Sequence, residues 1–234
     1  MKFTGILMIA AVATSFSVTR AQTTSDALTI RKTTDFAITG DGTANAWNTT
    51  EWIVLEKRRG AANYRTRAKM LYSETGVYAL FHNEDAVITS TLDEDFTDLW
   101  KEDVVEIFLW PDETYPLYFE YELSPLNREL AILVPNINGH YLGWRPWHYE
   151  GGRRTRHATY ILRTQDGTPR AWIAECFIPY TLLRPLANVP PSSGTQWRAN
   201  LYRLDHDHQS TAWSWKPVQK DSHDYQQFGT ILFE

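Results

Sequence analysis

The stretch DLWKEDVVEIFLWPDE, Asp98–Glu113, contains the segment that decides the fold. Between its charged ends lies the apolar run VVEIFLW, Val104–Trp110. Because successive side chains of a β-strand point to opposite faces, every second residue from Val105 onward lies on one apolar face. Glu106 lies on the other face, together with aromatic side chains. The run therefore predicts a strand with one core face and one face that carries a carboxylate among aromatics.

The next apolar run, LYFEYEL (Leu117–Leu123), repeats this pattern. Phe119 and Tyr121 share the apolar face, whereas Glu120 and Glu122 point the other way. If the two strands are neighbours, we expect their carboxylate-bearing faces to adjoin.

Alternation of apolar and polar residues continues along most of the chain. RAKMLYS (Arg67–Ser73) and VYALFH (Val77–His82), separated by the turn-like ETG, predict a hairpin. Only PYTLLRPL, Pro179–Leu186, predicts a short helix. The fold class that follows is all-β, an antiparallel, jelly-roll-like β-sandwich with one short helix. Further strands are predicted at Leu130–Val134, Thr159–Arg163, Ala171–Ile178, Trp197–Leu204 and Thr230–Phe233.

The N-terminus has the pattern of a secretory signal. Lys2 precedes an apolar segment, Ile6–Ala13, and small residues lead to Ala21. The apolar segment is shorter than the roughly 20 residues that a membrane-spanning helix needs, and no transmembrane segment is expected. We predict a signal peptide at residues 1–21, a single domain at residues 22–234, and export to the periplasm or the extracellular space.

Composition excludes some functions and favours others. The formal charge is −5, and loss of the cationic Lys2 and Arg20 with the signal peptide takes it to −7. Nucleic-acid binding is therefore not expected, because it depends on clustered Lys and Arg. Cys176 is the only cysteine, so no intramolecular disulfide can form. Aromatic residues make up 14% of the chain, more than a core alone usually requires, and this surplus suggests flat stacking surfaces.

Three interpretations of the strand carboxylates remain open. A glycoside hydrolase needs two carboxyl groups about 5–10 Å apart, and Glu106 with Glu120 or Glu122 could supply them. A sugar-binding site needs carboxylates as well, because they accept hydrogen bonds from hydroxyl groups while an aromatic face covers the ring. Solvated strand ends are the third interpretation.

Metal and redox sites have weaker signals. The DHDH sequence, Asp205–His208, contains ligand-type residues without a supporting partner spacing. Asp93–Asp95 and Asp98 could contribute to a calcium site, although their spacing does not match an EF-hand loop. A related sandwich that binds haem is a further alternative, for which Met70 is the one methionine beyond the signal peptide. The common hydrolase, zinc-protease and nucleotide-binding motifs are absent from the sequence.

Several segments taken in order resemble a known family. LYSETGVYALFHNED, DLWKEDVVEIFLWPDE, YFEYELSPLNREL, AWIAECFIPYTLL, WRANLYRLD and WSWKPVQKDSHDYQQFGTILFE are similar to carbohydrate-binding module family 9, in the free-standing form of exported Bacteroidota proteins. The likeness extends from about Thr33 to Glu234. It implies a non-catalytic β-sandwich, often stabilised by calcium, that holds a sugar or glycan end between two tryptophans. It also implies support of polysaccharide breakdown by partner glycoside hydrolases.

The resemblance assigns ligand-binding roles to specific positions. Trp100 matches the first of the two clasping tryptophans, and Glu106 matches a carboxylate that hydrogen-bonds sugar hydroxyls. The second tryptophan falls in WSWKP, where Trp215 is the first choice and Trp213 the second.

Further polar contacts are implied after the second carboxylate strand. Glu122, Asn127 and Arg128 fall where the family places them, although NREL after SPL departs from the family pattern. A loop at Tyr141–Arg156, which overlaps the aromatic and basic segment Trp144–His157, is additional and is expected to reshape the site.

Overall fold

The structure is a computed structural model, and it describes residues 1, 27–147, 150–207 and 209–234. The predicted signal peptide lies outside these residues, apart from Met1. Within them, no helix is long and apolar enough to cross a membrane. The strands are β1 (Leu28–Lys32), β2 (Ile53–Arg59), β3 (Thr66–Tyr72), β4 (Gly76–Glu84), β5 (Val104–Trp110), β6 (Leu117–Leu123), β7 (Glu129–Ile137), β8 (His140–Tyr141), β9 (Arg145–Pro146), β10 (Arg156–Arg163), β11 (Pro169–Pro179), β12 (Gln196–Asp205), β13 (Thr211–Ser214) and β14 (Gly229–Phe233).

These strands form the predicted β-sandwich. One layer has the order β14-β12-β5-β6-β7, and the other has the order β10-β11-β4-β3. Nearly all neighbours are antiparallel; β1 alone pairs in parallel, with β14 and with β3, and so joins the two layers at one edge. β2 joins them a second time because it pairs with both β13 and β3.

The core between the layers is formed by the apolar faces that the sequence pattern predicts. Val105, Ile107 and Leu109 of β5 are buried there with Phe119 and Tyr121 of β6. Both strands match their predicted bounds at each end. The predicted hairpin is also present as β3 and β4, which pair antiparallel.

The predicted short helix at Pro179–Leu186 is wrong. Pro179 is the last residue of β11, and the chain then makes successive turns closed by the bonds from the Leu182 amide to the Pro179 carbonyl and from the Leu186 amide to the Leu183 carbonyl. Pro185 has no amide hydrogen, so it cannot continue a helical ladder. Burial of the leucines in the core, rather than helical hydrogen bonding, holds the segment.

The second face of β5 is buried as well, which the sequence pattern does not predict. Phe108 and Trp110 belong to a separate apolar cluster on the outside of this layer, covered by the segments around Leu99 and Phe228. Short 3-10 turns at Leu99–Lys101 and Tyr225–Gln227 form part of this cover. A cavity remains where the cover is incomplete, over the middle of β5 and β6.

Candidate functional site

A cavity of about 680 Å³ opens on the outer face of the layer that contains β5. Its floor is made by side chains of β5, β6, β7 and β12. Its walls come from the turn before β5, from the segment 141–146, and from residues 221–223. The cavity lies directly over the carboxylate-bearing strand faces that the sequence predicts.

Three glutamates form the polar part of the floor. Glu106 and Glu122 are register partners on β5 and β6, and Glu120 lies opposite Phe108 on the same pair of strands. Glu106 is 1% exposed, and Glu120 and Glu122 are each 2% exposed. In the part of the chain that the structure describes, the Oε2 atom of each is buried without a hydrogen-bond partner. Such atoms are costly, so a ligand that supplies hydrogen bonds would be favoured here.

Burial raises the pKa of all three carboxyl groups. For Glu106 the hydroxyl of Ser222 and the charge of Arg59 oppose this rise, while Asp221 adds to it. The charge of Glu106 further raises the pKa of Glu120 and of Glu122. The groups therefore tend to hold protons, and a protonated carboxyl can donate as well as accept a hydrogen bond.

Trp100 forms one wall of the cavity. It belongs to the 3-10 turn Leu99–Lys101 that enters β5, and its side chain is 43% exposed. Leu99 is buried and anchors the turn. The backbone amide of Trp100 faces the Glu122 carboxyl group, where it opposes the rise in pKa. The wall tryptophan and the floor carboxyl are thus held in one local structure.

Another part of the cavity wall is formed by Tyr141, Trp144 and His223. The rings of Tyr141 and His223 are stacked, with their centroids 4.4 Å apart and an interplanar angle of 25°. Trp144 is half-buried and packs against the apolar cluster under the cavity. Aromatic side chains from three separate segments therefore line the cavity together with the carboxyl groups.

His223 joins this wall to the floor. Its Nδ1 atom lies 2.8 Å from the Tyr118 hydroxyl and 3.5 Å from Oε2 of Glu120. Burial lowers the pKa of His223, and the charge of Asp221 only partly offsets this. Because His223 tends to be neutral and Glu120 protonated, the contact between them is polar rather than ionic.

The structure does not bring either predicted partner of Trp100 to this cavity. Trp213 is 2% exposed and lies in the core, where the Arg203 guanidinium is 4.8 Å from its ring centroid. Trp215 is half-buried and packs against the same core. Neither is among the described residues that line the cavity. The expectation that one of them faces Trp100 does not fit this placement; among the described residues, Trp144 is the tryptophan that lines the cavity with Trp100.

Asn127 and Arg128 also lie away from the cavity lining. They belong to the turn between β6 and β7, where Asn127 has a φ of 60° and its Oδ1 lies 2.9 Å from Nδ1 of His157. The backbone amide of Arg128 donates to the Ser124 hydroxyl. Of the predicted polar contacts, the structure brings Glu106 and Glu122 together with Trp100. It also places residues of the additional loop, Tyr141–Pro146, on the cavity wall.

Several lining residues were missed by sequence reasoning. Tyr202 could have been found, because it is the β12 register partner of Glu106 and alternation places both on one face. Arg59, at the end of β2, and His223, in the last loop, have no periodic signal that would indicate the cavity.

A second acidic cluster fits the calcium ion that the resemblance implies. Asp85, Asp103 and Asp207 each offer a carboxylate oxygen within 4.8 Å of the others. Within the described residues, Oδ1 of Asp207 is buried without a hydrogen-bond partner. Burial, with the charges of neighbouring aspartates, raises the pKa of Asp85 to about 8 and that of Asp103 to about 7. A set of hard oxygen donors whose charge is only partly offset, by Arg203, suits Ca²⁺.

The other predicted metal residues are placed differently. Asp205 forms a buried salt bridge with Arg203 at 2.6 Å. The same Arg203 guanidinium also lies 2.9 Å from Asp85. Asp95 accepts a hydrogen bond from the Glu129 amide, and Asp98 pairs with Lys101. His208 lies outside the described residues. Met70 is buried in the apolar core.

A cavity with aromatic walls and polar groups on its floor, carried by a β-sandwich, has the features of a carbohydrate-binding domain. The comparison with protein families agrees with this class. Residues 38–233 match the family described as Carbohydrate family 9 binding domain-like. The chain belongs to this family of binding modules. No curated protein matches the chain.

Solved structures share the fold. A Bacteroides uniformis protein, provisionally described as carbohydrate-binding, is 17% identical with a TM-score of 0.72, and the match covers 89% of this chain and 99% of that one. A family 9 carbohydrate-binding module of Caldicellulosiruptor kristjanssonii in complex with cellotriose is 15% identical, with a TM-score of 0.63 and coverage of 88% and 93%. The same module in complex with glucose is 15% identical, with a TM-score of 0.62, and the match covers 88% of this chain and 95% of that one.

Proposed function

We propose that the cavity over β5 and β6 holds a sugar unit or a glycan end without catalysing its breakdown. The observation that carries this proposal is the trio of buried carboxyl groups, each with an oxygen that has no partner among the described residues, in a cavity with aromatic lining. Complexes of a structurally similar module with glucose and cellotriose support the ligand class.

The chemistry of each part suits a sugar. The faces of Trp100 and Trp144 cover apolar C–H surface, at about 25 cal/mol per Å² buried. The Glu106, Glu120 and Glu122 carboxyl groups select hydroxyl groups by their position. Because little area is buried and many hydroxyl groups must lose water, the dissociation constant should lie in the range of about micromolar to millimolar.

Isothermal titration against a panel of mono- and oligosaccharides tests the proposal. We expect heat with at least one sugar, and a large loss of affinity in Trp100→Ala and Glu106→Gln. Trp215→Ala is a matched control, since that tryptophan lies outside the cavity lining. An absence of heat across the panel, together with unchanged glycan retention in Trp100→Ala, would refute sugar binding.

A glycoside hydrolase that uses Glu106 with Glu120 or Glu122 is the second candidate. The observation that favours it is the raised pKa of adjacent carboxyl groups, which a general acid requires. The purified protein should be incubated with chromogenic glycosides and polysaccharides. Turnover that disappears in Glu106→Gln would replace the binding proposal with this one.

We also propose that Asp85, Asp103 and Asp207 bind a structural calcium ion. The bound ion would neutralise carboxylates that are now offset only by Arg203, and it would link the ends of β4, β5 and β12. Its role would be to stabilise the walls near the start of β5 rather than to contact the sugar.

Export and partnership with glycoside hydrolases complete the proposal. The signal-like N-terminus supports export to the periplasm or the extracellular space, with cleavage after Ala21. Expression of the full chain, fractionation and N-terminal sequencing test this, and an uncleaved cytoplasmic product would contradict it. Increased release of sugar from a polysaccharide by a glycoside hydrolase, when this protein but not Trp100→Ala is added, tests the partnership.

A further inference from the structure

A second cavity, of about 590 Å³, lies over β2, β3 and β4. Arg170 at the start of β11 and Trp213 of β13 complete its lining. Among the described residues, it shares none with the cavity over β5 and β6. The proposed sugar site does not account for it.

The lining of this cavity is cationic although the chain as a whole is acidic. Four cationic side chains face two acidic ones, and His82 lies among them. The cationic residues are Lys57, Arg65, Arg67 and Arg170, and the acidic residues are Glu56 and Glu84. The local charge is therefore opposite in sign to the net charge of −5.

Trp52 holds part of this cationic surface in place. The Arg67 guanidinium carbon is 4.2 Å from the Trp52 ring centroid, a cation–π contact. His82, the β4 register partner of Arg67, packs edge-on against Trp52 at 6.3 Å. A guanidinium stacked on a ring is pre-organised, so less entropy is lost when it binds an anion.

Two of the four cationic groups have no hydrogen-bond or salt-bridge partner among the described residues. Arg65 is paired with Glu84, and Lys57 donates to the Ala62 carbonyl. By contrast, the side chains of Arg67 and Arg170 form no hydrogen bond or salt bridge with any residue that the structure describes. Both guanidinium groups lie near His82, whose pKa is lowered by burial and further by their charges. The charge of Glu84 opposes the effect of these two exposed guanidinium groups on the His82 pKa.

We propose that this second cavity binds the carboxylate or sulfate group of an acidic saccharide. Planar guanidinium groups match such oxyanions with paired N–H donors, and Arg67 and Arg170 both line this cavity. The saccharide part rests on the proposed function, because a sugar-binding module meets acidic groups mainly on glycans. The anion part rests only on Arg67, Arg170 and the charge of the lining.

The test uses the full-length Trp100→Ala variant, in which the first cavity is weakened, so that the two sites are separated. Titration calorimetry compares an oligogalacturonate with the neutral galactose oligomer of equal length. We expect the acidic oligomer to bind more tightly than the neutral one. Arg67→Gln with Arg170→Gln should weaken it by about tenfold or more. Arg184→Gln, which removes an exposed charge outside both cavities, should leave it unchanged.

Histidine NMR gives a second measurement that does not depend on the stability of the variants. The His82 ring signals should shift when the acidic oligomer is added and stay in place with the neutral one.

Unmoved His82 signals, or affinity that survives the double substitution, would overturn the proposal. So would equal affinity for inorganic sulfate or a short single-stranded DNA, because the site would then not select a saccharide. A carrageenan oligomer, which carries sulfate but no carboxylate, compared with oligogalacturonate distinguishes sulfate from carboxylate. If the wild type bound no neutral sugar, only the proposed sugar site over β5 and β6 would be refuted.

Discussion

Glu106 and Glu122 lie directly opposite each other on β5 and β6, and one carboxyl oxygen of each is buried without a hydrogen-bond partner in the described structure. Two like charges at such positions destabilise a sheet, and side chains opposite each other have Cβ atoms about 4.5–5.5 Å apart. The fold can keep this pair because protonation removes the repulsion. The same arrangement concentrates hydrogen-bonding capacity at the floor of an open cavity, which is where a polyhydroxylated ligand would use it.

The first prediction concerns the tryptophan walls. Replacement of Trp100 or Trp144 with Ala should each reduce sugar affinity by about tenfold, since loss of one stacked face removes roughly 1–2 kcal/mol. Quenching or shift of tryptophan fluorescence during sugar titration measures the constants. Trp215→Ala should bind as the wild type does; if it alone lost binding, the cavity assignment would have to move to the C-terminal WSWKP segment.

The second prediction concerns pH. Burial raises the pKa of Glu106 to about 8, above the ordinary value of 4.5. The folded state therefore holds this proton more tightly than the unfolded chain, and the stability it contributes is lost as pH rises from about 4.5 to 8. Glu106→Gln should flatten that decline by on the order of 1–3 kcal/mol.

Denaturant unfolding at several pH values, with wild type and Glu106→Gln side by side, measures this difference. Glu113→Gln is a suitable control because Glu113 is exposed and lies outside the cavity. Parallel pH curves for the wild type and Glu106→Gln would show that Glu106 does not carry the effect.

The third prediction concerns calcium. Added Ca²⁺ should raise the melting temperature, and a concentration 100 times the dissociation constant would stabilise by about 2.7 kcal/mol. Asp103→Asn should abolish the response, whereas Asp93→Asn, at an exposed position outside the cluster, should keep it. Thermal scans with EDTA and with Ca²⁺ make the comparison. A calcium response that is lost in Asp93→Asn instead would relocate the ion to the Asp93–Asp98 segment.

The fourth prediction concerns the cover of the opposite layer. Glu175 of β11 is fully buried and accepts hydrogen bonds from the Trp47 indole at 2.8 Å and from the amides of Thr39 and Gly40 at 3.0 and 2.7 Å. Trp47→Phe leaves the carboxylate one donor short and should cost about 1–3 kcal/mol of unfolding free energy. Tyr160→Phe, at an exposed position, should stay within about 0.5 kcal/mol of wild type. Equal stability of both variants would mean that water replaces the indole.

Alternation was sufficient to predict much of the architecture. The bounds of β5 and β6 are correct, and the adjoining carboxylate faces are confirmed by the pairing of Glu106 with Glu122. The short β13 was not predicted, because its four residues are too few for a periodic signal and are buried on both faces. The helix at Pro179–Leu186 was wrong because leucines that fill a core from a turn have the same spacing as those on a helix face.

The sequence by itself determined most of the strands and the family, and it predicted Trp100 and Glu106 as site residues, because each depends on short-range pattern. Only the tertiary structure decided what faces them. Trp213 and Trp144 cannot be distinguished by composition, yet one is enclosed by the two layers and the other lies on a loop over β5 and β6. Contacts between residues far apart in the chain depend on which strands pair and which loops cover them, and no local periodicity records that choice.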